Sequence, residues 1–187
     1  MSGTSELSIY ETTFAKTDKT DAILVVGGKK LHVNKAVLSY HSDYFSALFN
    51  SEFKEKSIEE IEIKDVKFED FAVVLSLVHK NPMKPMHAAP RLTIFPPLDN
   101  SDKFLELADR FMLPAAKRFV EFFLYENPKV LTKEKIRLAD KYHLEDLLEV
   151  TIASLESQDE FKGYSKMGLS DATKSKLFDR ISTILNI

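Results

Sequence analysis

Three kinds of side chain in this sequence could do chemistry, and their spacing decides what each can do. Ser39, His41 and Asp43 are the residue types of a nucleophile, a base and an orienting acid. Residues two apart on a helix point away from one another, so the hydrogen-bond relay of a triad cannot form there. Neither a nucleophile elbow nor an oxyanion hole is visible. His32, His41, His79, His87 and His143 could ligate a metal, but no pair has the four-residue spacing of a helical zinc motif. The chain also lacks cysteine, which removes thiolate sites and disulfides together. Glu59, Glu60 and Glu62 could attract a hard cation, yet they lack the Asp/Asn-Gly rhythm of a calcium loop. Gly27-Gly28-Lys29-Lys30 resembles a phosphate loop in composition alone; the gap between its glycines and the hydroxyl residue after its lysine are missing. These groups read as a helix junction, scattered histidines, a charged strand edge and a hairpin turn. No enzyme activity, cofactor or metal is expected.

The elements around them belong to a folded chain. Of 187 residues, 44% are hydrophobic and 29% charged, a globular balance. Fourteen Phe against no Trp imply a core built from Phe rings. A net charge of −3 carries no basic excess for nucleic acid. No apolar run approaches the roughly 20 residues of a membrane span, and the first residues have no basic, apolar leader. With cysteine absent, a cytoplasmic or nuclear location is expected.

Residues 1–20, rich in Ser, Thr and Lys, read as a mobile tail, with order beginning at Asp21. Ile23-Leu24-Val25-Val26 and Leu31-His32-Val33 flank Gly27-Gly28, a hairpin signal. Asn34 stands at a helix N-cap, and Ser42 at another ahead of Tyr44, Phe45, Leu48 and Phe49. Ile58, Ile61 and Ile63 predict a third short strand, and Phe68 to Val78 a helix. Pro82, Pro85, Pro90, Pro96 and Pro97 make residues 80–100 an irregular loop, with one strand possible at 91–95. Everything after Ser101 is helical, with Pro114 at a first helical position and Ser170 capping a last amphipathic helix. Leu107-Ala108-Asp109-Arg110-Phe111-Met112-Leu113 recurs as Leu138-Ala139-Asp140-Lys141-Tyr142-His143-Leu144, so the chain is expected to stack two similar helical hairpins. Strands with short helices first and helices alone afterwards make the fold class α+β.

The ordered run from Asp21 through the hairpin, Asn34 to Leu38, Ser42 to Phe49, Ile61 to Val66 and Leu107 to Leu113 resembles the BTB/POZ family over residues 21–125. The likeness is nearest to nematode-expanded BTB domains that often follow a MATH domain. Residues 126–187 resemble the start of a BACK-type helical extension. The resemblance implies a short-stranded sheet wrapped by helices, and a homodimer formed through the helices beginning near Asn34 and Ser42. Its interface would include Asp21 and Lys35, set together fourteen residues apart, with Tyr44 and Phe45. It also implies a substrate adaptor for a cullin-3 ubiquitin ligase, with Phe53-Lys54-Glu55 at the place of the family's hydrophobic-x-Glu motif and Phe53 and Glu55 as the contacts. The alternative is a BTB scaffold for transcriptional or channel-assembly complexes without cullin binding. Asn34 replaces the family's common His, and His79-Lys80-Asn81-Pro82 its Tyr-Thr-Gly; the Pro-rich segment would lie close to the implied cullin surface. No MATH, Kelch or zinc-finger module is recognisable, which leaves the unknown substrate protein to the helical tail or another chain.

Overall fold

Gly27 and Gly28 both take positive φ, 56° and 80°, as a two-residue primed turn requires. They join β1 (Ala22–Val26) to β2 (Lys29–Val33) in an antiparallel pair that sets Ala22 opposite Val33 and Val26 opposite Lys29. The structure is a computed structural model that describes residues 9–50, 60–78 and 100–186. Two compact units divide the chain, Met1–Lys117 and Arg118–Ile187.

In the first unit, β3 (Glu60–Glu62) runs parallel to β1 with Ile61 opposite Leu24, so the described strands form one sheet in the order β2-β1-β3. Alternation buries Ala22, Leu24, Val26, Leu31 and Val33. The glutamates of β3 stay exposed, where Glu60 pairs with Lys30 and Glu62 lies 3.5 Å from Lys64. Charge on an outer strand discourages pairing with a stray edge.

Helices cover this sheet. They are α1 (Ile9–Thr13), α2 (Lys35–His41), α3 (Asp43–Asn50), α4 (Phe68–Ser76) and α5 (Ser101–Arg110). Five consecutive residues of α4, Phe71 to Leu75, are buried, which marks a helix enclosed on most sides. Phe rings cluster within a core otherwise made largely of Leu, Val and Ala. Phe111 stacks on Phe45 (5.9 Å, 10°) and meets Phe71 edge-on at 4.9 Å. Ser42, 2% exposed, ties α3 to this cluster. Its hydroxyl donates to the Phe111 carbonyl at 2.6 Å and accepts from the Phe45 N–H at 3.1 Å, so a buried polar group is satisfied while it caps the helix. Arg110 closes the other side by donating to the carbonyls of Lys64 and Asp65 at 2.9 and 3.0 Å.

Order begins before Asp21, which corrects the expectation of a mobile tail for residues 9–20. Phe14 is only 2% exposed, and its carbonyl accepts the His32 N–H at 3.1 Å. Asn34 donates from Nδ2 to the Lys19 carbonyl at 2.6 Å. Tyr10 meets Phe68 edge-on at 5.8 Å, and the Lys29 ammonium sits 4.6 Å over the same ring. Lys29 also donates to Glu69 at 2.9 Å, and that bond holds the Glu69 carboxyl below its usual range. Burial, helped by Glu69 and Asp70, pushes the Tyr10 hydroxyl up. One apolar anchor and a few hydrogen bonds thus turn a polar segment into a strap.

The second unit is helical. α6 (Pro114–Glu126) begins in the first unit, with Pro114 at its first position as read from the sequence. α7 (Thr132–Tyr142), α8 (Glu145–Ala153), two 3₁₀ turns and α9 (Asp171–Leu185) follow. Its helices cap one another. Glu121 of α6 accepts from the Leu147 N–H near the start of α8 (3.1 Å), and Lys135 of α7 donates to the Tyr125 carbonyl near the end of α6 (3.1 Å). Arg180 of α9 donates twice to the Leu155 carbonyl just past α8, at 3.0 and 2.8 Å. Asp140 of α7 accepts from Ser170 N–H (2.9 Å), Ser170 Oγ (2.5 Å) and Thr173 Oγ1 (2.6 Å) at the start of α9. Acids therefore face helix starts and cations face helix ends, the arrangement the helix dipole favours.

The repeated heptapeptide has one backbone form in both places. Met112 and His143 take left-handed φ values of 48° and 54°. The next residue closes the same six-to-one bond each time, Leu113 to the Ala108 carbonyl (2.8 Å) and Leu144 to the Ala139 carbonyl (2.9 Å). Each copy ends a helix and turns into the next.

Candidate interaction surface

Asn34 starts the face that the sequence reading singles out. Its Oδ1 accepts the Val37 N–H at 2.9 Å, capping α2, while its amide holds the strap through Lys19. Asp21 adds a second anchor by accepting the Lys35 N–H at 2.7 Å. Two of the free amides at the start of α2 are thus satisfied from outside the helix. The helix is fixed at its origin, and its outward side is left open.

That side is weakly charged. α2 exposes Ala36 and Tyr40, and α3, in contact with it, exposes Asp43, Ala47 and Asn50. Tyr40 is 86% exposed, its ring meeting that of His41 edge-on at 5.0 Å. A tyrosine left in water is a common anchor of protein interfaces, because its ring supplies area and its hydroxyl a hydrogen bond.

The residues read as interface fall in different places. Asp21 and Lys35 are brought together, through the Lys35 backbone and not as a pair of side chains. Tyr44 is half-buried, edge-on to Phe111 at 5.1 Å. Phe45 is a correction: at 0% exposure it belongs to the core of its own chain and has no surface to offer a second copy. Phe53 and Glu55 lie outside the described residues, as do His79, His87 and the Pro-rich segment up to residue 99. Tyr40 was missed. It sits two residues beyond the buried Leu38 on the opposite side of α2, and period alone does not say whether an outward tyrosine is solvated or docked.

Ser39 and His41 lie on α2 and Asp43 begins α3, with Ser42 between them in extended backbone. Among the described residues no group of three or more His, Asp or Glu could hold a metal ion, and no helix is long and apolar enough to cross a membrane.

The model of the BTB/POZ domain family matches residues 10–128, a span that takes in the strap from α1 onward. A BTB/POZ domain-containing protein of Caenorhabditis elegans is 37% identical over 168 residues, 88% of this chain and 50% of that protein. BTB and MATH domain-containing protein 38 of the same organism is 29% identical over 188 residues, 98% of this chain and 46% of the relative. BTB and MATH domain-containing protein 36 is 32% identical over 145 residues, 78% of this chain and 42% of the relative. The chain spans about half the length of the curated relatives it matches.

Proposed function

The chain belongs to the BTB/POZ domain family, a family of non-enzymatic protein-interaction domains, and on that premise we propose that it self-associates and links substrate proteins to a cullin-3 ubiquitin ligase. The observation that carries self-association is the weakly charged α2–α3 face with Tyr40 in water. BTB domains commonly mediate homo-oligomerisation, and this face lies on the helices through which the family resemblance implies it. Tyr44, half-buried beside that face, and the Asp21–Lys35 contact would support the interface from behind.

The cullin reading rests on Phe53-Lys54-Glu55, which follows α3 in the sequence. An aromatic anchor beside a carboxylate suits a partner that needs both area and register. Residues 126–187 would serve as a BACK-like extension that, alone or with another chain, holds the substrate. The proposed place of action is the cytoplasm, the nucleus or both.

Titration of the full chain with the N-terminal domain of cullin-3 tests this function. Saturable binding that weakens by about 1 kcal/mol or more in Phe53→Ala and Glu55→Ala is the expected result. No binding by a chain that still self-associates would reduce the function to a BTB scaffold for other complexes.

A further inference from the structure

Ser170 ties two helices together through a single hydroxyl. As the N-cap of α9, its Oγ accepts the Thr173 N–H at 3.2 Å. The same hydroxyl donates its proton to the Asp140 carboxylate of α7 at 2.5 Å, thirty residues back along the chain. Asp140 also accepts the Ser170 N–H and the Thr173 hydroxyl. The latch between α7 and α9 is thus a row of donors aimed at one carboxylate, and such charge-assisted bonds are the strong kind. Ser170 is exposed and lies in extended backbone (φ −60°, ψ 156°), two residues after Gly168 with its φ of 64°. Its hydroxyl therefore belongs to a surface connection between elements, where modifying enzymes reach their substrates.

A phosphoryl group on this oxygen would reverse the sign of the contact. Transfer from ATP by a serine/threonine kinase breaks the bond between the γ-phosphorus and the ADP oxygen and forms the Oγ–P bond. The hydroxyl proton passes to the kinase's base, so Asp140 loses that donor. In its place stand about two negative charges and three acceptor oxygens, which repel a neighbouring carboxylate. The cap of α9 survives, because a phosphate at a helix N-terminus accepts amide N–H groups and suits the dipole. We propose that Ser170 is a phosphorylation site and that its modification unlatches α9 from α7 while α9 stays helical. Neighbouring cations soften the repulsion without replacing the lost donor: Lys174 is held by Asp171 at 3.0 Å, and His143 acts on Asp140 from the end of α7. The device belongs to the second unit and stands whether or not the chain binds a cullin.

The test is a cycle of four full chains: serine or encoded phosphoserine at position 170, each with Asp140 intact and with Asp140→Asn. Deuterium exchange of the α7 and α9 amides at neutral pH reads the latch. With Asp140 intact, phosphoserine is expected to speed exchange roughly tenfold or more, the effect of losing a charge-assisted bond and gaining a repulsion. With Asp140→Asn the same change should stay within about twofold, since an amide NH₂ can donate to the phosphate. Equal acceleration in both backgrounds, or none in either, would overturn the latch. Far-ultraviolet circular dichroism should keep its helical signal throughout, and a loss in the phosphoserine chain would overturn the surviving cap. For the modification itself, the unmodified chain is incubated with ATP in a eukaryotic cytosolic extract and its peptides are mapped by mass spectrometry. Phosphate on Ser170, absent from a Ser170→Ala chain treated alike, is the expected result; a Ser170 peptide that stays unmodified would overturn the site.

Discussion

The Asp21 carboxylate accepts the backbone N–H of Lys35 at 2.7 Å, across fourteen residues of chain. What Asp21 meets is the positive end of α2 and not the lysine's charge as such. Substitution should therefore be asymmetric. Asp21→Ala is expected to cost about 1–2 kcal/mol, as loss of a helix-capping acceptor does, whereas Lys35→Ala should stay within about 0.5 kcal/mol, as surface substitutions do. Urea midpoints of the two variants check this; equal losses would restore the side-chain pair.

Phe45 and Tyr44 are neighbours in sequence with different duties. Phe45, fully buried between Phe49 and Phe111, should cost about 3–5 kcal/mol when cut to Ala. Tyr44→Ala, at a half-buried site, should cost less. Chemical unfolding of the two variants would show the order, and a Phe45→Ala chain that is stable but monomeric would contradict the core assignment.

Met112 holds a left-handed backbone with φ of 48° and is 54% exposed. Its side chain contributes little packing, while its conformation is one that L-residues adopt at a cost of roughly 1–2 kcal/mol. Met112→Gly is expected to stabilise the chain by about 0.5–1 kcal/mol, and Met112→Val to destabilise it. Thermal melts would read both signs.

Asp140 gives the second unit a dependence on pH. Burial works against its charged form, but hydrogen bonds from Ser170 and Thr173, with help from His143, outweigh it and hold the carboxyl below its usual range. A depressed folded value means that the stabilisation is complete above the unfolded pKa of about 4 and is lost as pH falls through the folded one. Asp140→Asn should therefore cost about 1–2 kcal/mol at neutral pH, the size of a charge-assisted bond. The gap from wild type should shrink at strongly acid pH. Urea unfolding at neutral and acid pH measures it; a gap independent of pH would mean the ionised form is not what Ser170 and Thr173 recognise.

Where one residue type answers a backbone demand, the sequence could be read directly. Gly27-Gly28, Asn34, Ser42, Pro114 and Ser170 stand where turn or cap chemistry leaves few alternatives, and each has the expected role. The strap was illegible because Phe14 is one large apolar residue among Thr, Ala and Lys, and its burial depends on a groove made by residues far along the chain. Phe45 was misplaced for a related reason. A helix period marks an apolar face, but it does not distinguish a face turned to the chain's own core from one turned to another chain. Tyr40 shows the converse, an aromatic in the outward position that composition gave no reason to single out.

The mutual caps of the second unit also govern how it comes apart. Glu121, Lys135, Asp140 and Arg180 each satisfy backbone or hydroxyl groups at the end of a helix other than their own. Removing α9 would leave the Leu155 carbonyl and the Asp140 carboxylate without these donors at a stroke. Fraying one helix at a time is then discouraged, and amide protons at all four helix ends should exchange with solvent together, in a single opening event. A protease that finds one loop of this unit would find the others open in the same instant.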